Sequence, residues 1–246
     1  MRNYLIVDDN RPFAENLAEI LEDGHDRGWV AGSGAEALAL VAERRFDAVL
    51  TDMRMPGMGG AELVHRLRRL DAGLPAIAIT AYTEDDEIAA ARREGLLAVL
   101  PKPVVVGQLL ELLGRARRDG LVVLVEDDLE LADNLSEVLR GRGFSVVAAT
   151  SVLETEGLGA VRPFAALVDL RVRGGGDGEA LRRLGEKYPG LPMIVITAHG
   201  GLELPFGCAA LIEKPFETAR VVGVLEEVHR AQHGASAPES AQEGQP

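Results

Sequence analysis

At 246 residues the chain is long for one domain and comfortable for two, each large enough to bury its own core. No uninterrupted apolar run approaches the roughly 18 residues that span a membrane, and no charged and apolar leader opens the chain, so a cytoplasmic protein without membrane contact is expected. Formal net charge is −13, divided as 15 basic against 20 acidic residues in 1–119 and 11 against 19 beyond, which disfavours nucleic acid, and the lone Cys208 excludes an internal disulfide or a cysteine metal site.

Residues 3–7 (NYLIV) read as a strand running into Asp8, Asp9 and Asn10, with Pro12 in the first turn of an amphipathic helix. A second strand near Trp29 and Val30 leads to Ser33 and Glu36, spaced as a capping box, and the helix runs to about Glu43. Ala48 to Leu50 form a short apolar run expected to be buried on both faces, ending at Asp52 and a Pro56-Gly57 turn. Gly59 and Gly60 open a helix with Leu63, Val64, Leu67 and Leu70 predicted on one face. Ala76 to Ile79 form a strand ending at Thr80. Glu84 to Arg93 form a helix, acidic first and basic last, as the macrodipole favours. Ala98 to Leu100 are the fifth strand, ending at Pro101-Lys102-Pro103, and Val104 to Arg118 are the fifth helix. The basic cluster Arg115, Arg117 and Arg118 reads as the complement of that helix's C-terminal dipole.

Five alternations imply a parallel, doubly wound α/β sheet with right-handed crossovers. The pattern then recurs: Leu121 to Val125, the acidic turn Glu126-Asp127-Asp128, the capping pair Ser151 and Glu154, and a central strand ending at Asp169. Ile194 to Thr197 and Glu213-Lys214-Pro215 follow. Asp52 to Thr80 and Asp169 to Thr197 share a spacing of 28, so a whole domain is duplicated. The boundaries read as 1–118 and 119–233, with almost no linker and a disordered tail over 234–246.

With strand order 2-1-3-4-5, the strand ends bearing Asp8, Asp9, Asp52, Thr80 and Lys102 converge on one crevice at the carboxyl edge of the sheet. Three carboxylates so close repel one another unless a cation sits among them, and an oxygen-only donor set suits Mg²⁺. Lys102 can hold one oxygen of a phosphoryl group and the Thr80 hydroxyl another. The crevice is thus suited to phosphorylation of Asp52 by in-line transfer.

VDDN, LTDMRMPGMGG, ITAY and PKP in the first half, and VEDD, LVDLRVRG, ITAH and EKPF in the second, resemble the receiver domains of two-component response regulators, the chemotaxis-type flavodoxin-like fold. The resemblance covers both halves and about 230 of the 246 residues, and it leaves no effector domain in this sequence. It implies that Asp52 is the phosphoacceptor, that Asp9 and Asp52 ligate Mg²⁺ directly with the Arg54 carbonyl, and that Asp8 acts through water. It makes Thr80 the switch hydroxyl and Lys102 the phosphate partner, its bond to Pro103 cis. In the second half the matching positions are Glu126, Asp127, Asp169, the Arg171 carbonyl, Thr197 and Lys214 before Pro215. The implied phosphodonor is a sensor histidine kinase or a histidine phosphotransfer protein, and the implied output is binding of a protein target or self-association.

Several positions depart from that family. An aromatic residue is usual three positions before the lysine, where Val99 and Leu211 stand. Pro56 becomes Arg173 in a glycine-rich stretch. Thr80 and Lys102 are 22 residues apart but Thr197 and Lys214 only 17, and Gly200, Gly201 and Pro205 occupy the shortened part, so the fourth helix of the second half is expected to be short or missing. That shortening favours an alternative in which the second domain is an unphosphorylated docking or dimerisation scaffold. Two rivals of other classes read less well. An aspartyl-phosphate phosphatase or phosphotransferase would carry a second Asp where Arg54 and Arg171 stand, and a flavin carrier would not place Asp8 and Asp9 in its phosphate loop. No enzymatic activity is expected beyond self-phosphorylation and autodephosphorylation. His25 and His65 have no metal-ligand companion, and the pair His229 and His233 reads as a solvated helix end rather than a site. His199, matching Tyr82, is expected to line the entrance to the second crevice.

Overall fold

The computed structural model of the chain describes residues 1–81, 86–158, 161–198 and 208–233. The first unit runs β1 (Asn3–Val7), α1 (Arg11–Asp23), β2 (Arg27–Ala31), α2 (Gly34–Glu43), β3 (Ala48–Thr51), α3 (Gly60–Leu70), β4 (Ala76–Thr80), α4 (Asp86–Arg93), β5 (Ala98–Pro101) and α5 (Val106–Arg115). The second runs β6 (Leu121–Val125), α6 (Leu129–Gly141), β7 (Ser145–Ala149), α7 (Val152–Glu156), β8 (Ala165–Asp169), α8 (Glu179–Lys187), β9 (Met193–Thr197), β10 (Cys208–Glu213) and α9 (Thr218–His233). Each unit holds a five-stranded sheet, ordered β2-β1-β3-β4-β5 and β7-β6-β8-β9-β10, with every pairing parallel. The expected flavodoxin-like order is therefore present twice.

The continuous apolar strands follow from burial on both faces. Along β1 and β3, Leu5, Val7 and Val49 enter one core, and Tyr4, Ile6, Ala48 and Leu50 the core on the opposite side of the sheet. The second sheet repeats this with Val123 and Val168 on one side and Leu124 and Leu167 on the other. Emptying one such position, Leu50→Ala for instance, costs about 3 kcal/mol. Two helix starts carry the caps read from the sequence, Ser33 accepting from Glu36 N and Ser151 from Glu154 N, and the Asn10 side chain adds a third by accepting from Phe13 N. The Glu36 and Glu154 carboxylates reach one residue further back than a capping box would, to the amides of Gly32 and Thr150.

Three expectations are corrected. On α3 the buried residues are Gly60, Leu63, Val64, Leu67 and Arg68, while Leu70 is 55% exposed. Arg68 can be buried because its guanidinium donates to the carbonyls of Ala72, Leu74, Glu94 and Gly95. Burial still drives its pKa down to about 10. Second, α5 ends at Arg115, not Arg118, because Ala116 leaves helical geometry at ψ 125. Arg117 donates to Glu226 and to the Arg142 carbonyl, and Arg118 to Asp71 and the Phe46 carbonyl, so these arginines pin the short connection to both units instead of complementing a helix dipole. That connection runs so close to the second unit that a Cβ on Gly143, at φ +85, would stand 1.8 Å from the Arg115 carbonyl oxygen. Third, His229 is not solvated: it meets Phe164 and Phe144 edge-on at 5.0 and 5.9 Å. Among the other histidines, His65 pairs with Glu94 at 3.0 Å.

Among the described residues no helix lies between β9 and β10. Gly200, Gly201, Pro205, His199, Tyr82 and the tail 234–246 lie outside the described residues. No helix among the described residues is long and apolar enough to cross a membrane.

Candidate functional site

Four strand ends of the first sheet meet at its carboxyl edge. Asp8 follows β1, with its carboxylate 2% exposed and Oδ1 accepting from the Asn10 amide at 2.8 Å. Asp52 follows β3, and its Oδ1 accepts from the Arg54 amide at 3.2 Å. Thr80 is the fully buried last residue of β4, and its carbonyl accepts from the Lys102 amide at 2.9 Å, which ties the fourth and fifth strand ends together. Close approach at this edge depends on Gly60, where a Cβ would lie 2.5 Å from the Asp52 carbonyl oxygen.

Lys102 organises the cluster. Its Nζ donates to Asp8 Oδ2 at 2.7 Å and Asp52 Oδ2 at 2.6 Å. Burial alone would lower its pKa, but the hydrogen bonds it donates to Asp52 and Asp8 outweigh burial and raise it, so the side chain is cationic. The Phe13 ring lies 4.6 Å below the same Nζ, an aromatic face that the sequence pattern did not single out. Asp8, Asp9 and Asp52 each offer an oxygen within 4.8 Å of the others. One lysine does not neutralise three carboxylates, and the oxygen-only donors fit a hard divalent cation.

The second sheet rebuilds the cluster with different edges. Glu126 is 1% exposed and Asp169 closes β8; Lys214 Nζ donates to them at 2.9 and 2.6 Å. The Arg171 amide donates to Asp169 Oδ1 at 3.0 Å, and the Lys214 amide to the carbonyl of the buried Thr197 at 2.7 Å. Glu126, Asp127 and Asp169 again offer oxygens within 4.8 Å of one another. Burial, with Asp169 adding to it, raises the Glu126 pKa against the opposing pull of Lys214. The bonds Lys102-Pro103 and Lys214-Pro215 are both cis. Two features differ from the first unit. Arg173, in the place of Pro56, lies 3.4 Å from Asp127, and Leu131 stands where Phe13 does. The Arg173 contact could have been suspected from a cation near an acidic turn; its geometry could not. All twelve singled-out site residues thus fall into two clusters of six.

The family model for the response regulator receiver domain matches residues 4–114. A response regulator receiver protein of Anaeromyxobacter sp. (strain Fw109-5) is 62% identical over 240 residues, covering 97% of this chain and all of that protein. The chain belongs to the response regulator receiver family. A sporulation initiation phosphotransferase of Bacillus subtilis is 34% identical over 105 residues, 43% of this chain and 85% of that one. Among solved structures, chemotaxis protein CheY4 of Vibrio cholerae is 30% identical with a TM-score of 0.45, covering 47% of this chain and 98% of that one. The protein is therefore a two-component signalling protein that holds two receiver-type units in tandem. Receiver domains bind Mg²⁺ at an acidic pocket and accept phosphate from histidine kinases or phosphotransfer proteins, and each unit of this chain presents an acidic cluster.

Proposed function

We propose that both units, divided near residues 118 and 119, accept a phosphoryl group from a phosphohistidine, on Asp52 and on Asp169, and that the chain signals by binding proteins in a phosphorylation-dependent way. The observation that carries this reading is the lysine gripping the acceptor carboxylate at 2.6 Å in both units. An acceptor oxygen of Asp52 forms the new bond to phosphorus as the imidazole nitrogen of the donor departs with the P–N electron pair. The Arg54 amide on Oδ1 fixes the direction of the carboxylate. Lys102, already charged, transfers a hydrogen bond from Asp52 Oδ2 to a phosphoryl oxygen, and the Thr80 hydroxyl takes another. Asp9, Asp52 and the Arg54 carbonyl would hold Mg²⁺, with Asp8 behind them, and the ion would supply charge neutralisation for the crowded oxygens. Glu126, Asp127, Asp169, the Arg171 carbonyl, Thr197 and Lys214 take the same roles in the second unit.

A second reading, with the first unit as acceptor and the second as docking scaffold, is favoured by one observation: Arg173 already pairs with Asp127. Peptide mapping after incubation with Mg²⁺ and acetyl phosphate, with borohydride trapping, tests both. Label at Asp52 and Asp169 is expected; label at neither overturns the proposal, and label at Asp52 alone selects the scaffold reading.

A further inference from the structure

The elements leading away from Asp52 end on one face, and the second unit sits on that face. Thr80 closes β4, and α4 begins six residues later at Asp86. Lys102 follows β5, the outermost strand of its sheet. From α3, whose first residue abuts the Asp52 carbonyl, Arg68 reaches over to the carbonyls of Glu94 and Gly95 and ties α3 to the turn between α4 and β5. That turn touches the second unit. At Gly95, φ +81, an added Cβ would lie 2.7 Å from the Leu121 side chain of β6 and 3.1 Å from Val147 of β7. Beside it, a groove of about 370 Å³ has Arg92 and Leu96 to Val99 on one wall and Asp133, Glu137 and Arg140 of α6 on the other.

Val99 is the position where the sequence lacks the aromatic residue usual in this family, and it opens onto the groove, half-buried against the first unit's core. The charges in the groove are balanced. Arg92 faces Arg140, a like-charge pair offset by Asp133, while the Arg140 guanidinium also donates to the Val146 carbonyl. The connection cannot relieve the contact by drifting, because Arg118 is fixed to Asp71 and Phe46.

A phosphoryl group on Asp52 adds about −1.5 to −2 charges beside Lys102 and Thr80. Drawing these residues inward displaces β5 and α4, the walls of the groove, and rigidly packed surfaces respond by changing partners rather than by deforming. Resting on the reading of Asp52 as phosphoacceptor, we propose that the second unit is the first unit's own reader: β6, β7 and α6 docked on the α4–β5 face hold the unphosphorylated arrangement, and phosphorylation of Asp52 loosens that docking. The coupling is reciprocal, so weakening the docking must ease phosphorylation by the same factor at equilibrium.

The full chain carrying Asp169→Asn, which leaves Asp52 as the sole acceptor, is compared with the same chain carrying Asp133→Arg and Glu137→Arg. Both α6 positions are exposed, and the substitutions make the groove wholly positive without touching either core. Intact mass with Mg²⁺ and acetyl phosphate is expected to show an adduct on Asp52 in both proteins, and beryllofluoride with Mg²⁺ is expected to bind at Asp52 roughly fivefold more tightly, or more, in the groove variant at equilibrium. Spin labels at the exposed positions Leu110→Cys and Leu153→Cys, with Cys208→Ser, are expected to move apart on adding beryllofluoride and Mg²⁺. A beryllofluoride affinity equal or weaker in the groove variant, or a label distance unchanged by beryllofluoride, overturns the inference while leaving Asp52 as phosphoacceptor. No adduct in either protein overturns that reading and the inference with it.

Discussion

The two crevices share a centre and differ at their rims. In each, a lysine bridges two carboxylates at hydrogen-bond distance, and a strand-end threonine carbonyl holds that lysine's amide. Around the first centre stand Phe13, Pro56 and α4; around the second stand Leu131, Arg173 and, among the described residues, no fourth helix. Duplication has thus kept the groups that would contact a phosphoryl oxygen, while the parts that would report its arrival have diverged. The same contrast holds deeper down. Arg68 staples α3 to the α4–β5 turn in the first unit, and sixteen positions after Asp169 the second unit has Gly185. A staple there would have no fourth helix among the described residues to hold.

The largest expected effect would break the comparison at its centre. Asp52→Asn should abolish acceptance in the first unit and Asp169→Asn in the second, each leaving the other untouched, as measured by phosphopeptide mapping. Next, Lys102→Met or Lys214→Met should slow acceptance at its own site by about a hundredfold, the scale expected when a fixed cation is removed from a developing charge. If only Lys102→Met slows the reaction, the shared centre does not mean shared chemistry.

Arg68→Met tests the staple. It leaves two buried and two part-buried carbonyls without their donor and should destabilise the first unit by roughly 3 kcal/mol. Hydrogen exchange should rise in β4 and α4 and stay unchanged in β8 and β9. The smallest effect concerns the rim. Arg173 is 76% exposed, so its pairing with Asp127 is worth little, about 1 kcal/mol at most. Arg173→Ala should tighten Mg²⁺ at the second site by a few-fold in a calorimetric titration on an Asp52→Asn background, and no tightening would remove Arg173 as the reason for any difference between the sites.

Much of this was legible in the sequence because strands buried on both faces are apolar throughout, so the first charged residue after each marks the carboxyl edge of the sheet. Asp8, Asp52, Glu126 and Asp169 were found that way, and the constant spacing to Thr80 and Thr197 exposed the duplication. What the pattern concealed depends on partners far apart in the chain. Arg68 looks like a surface residue until four carbonyls from two turns surround it, and Leu70 looks buried until Arg68 takes its place. Arg117 and Arg118 look like a helix end until the backbone turns at Ala116. Phe13 over Lys102 joins residues 89 positions apart, and no local signal announces that contact.

Intact-mass analysis after incubation with Mg²⁺ and acetyl phosphate, on the wild type, Asp52→Asn, Asp169→Asn and the double variant, tests the central claim most directly. Two phosphoryl groups are expected on the wild type, one on each single variant and none on the double variant. A wild type that gains none, or a double variant that still gains one, would contradict the assignment of Asp52 and Asp169 as the reactive groups.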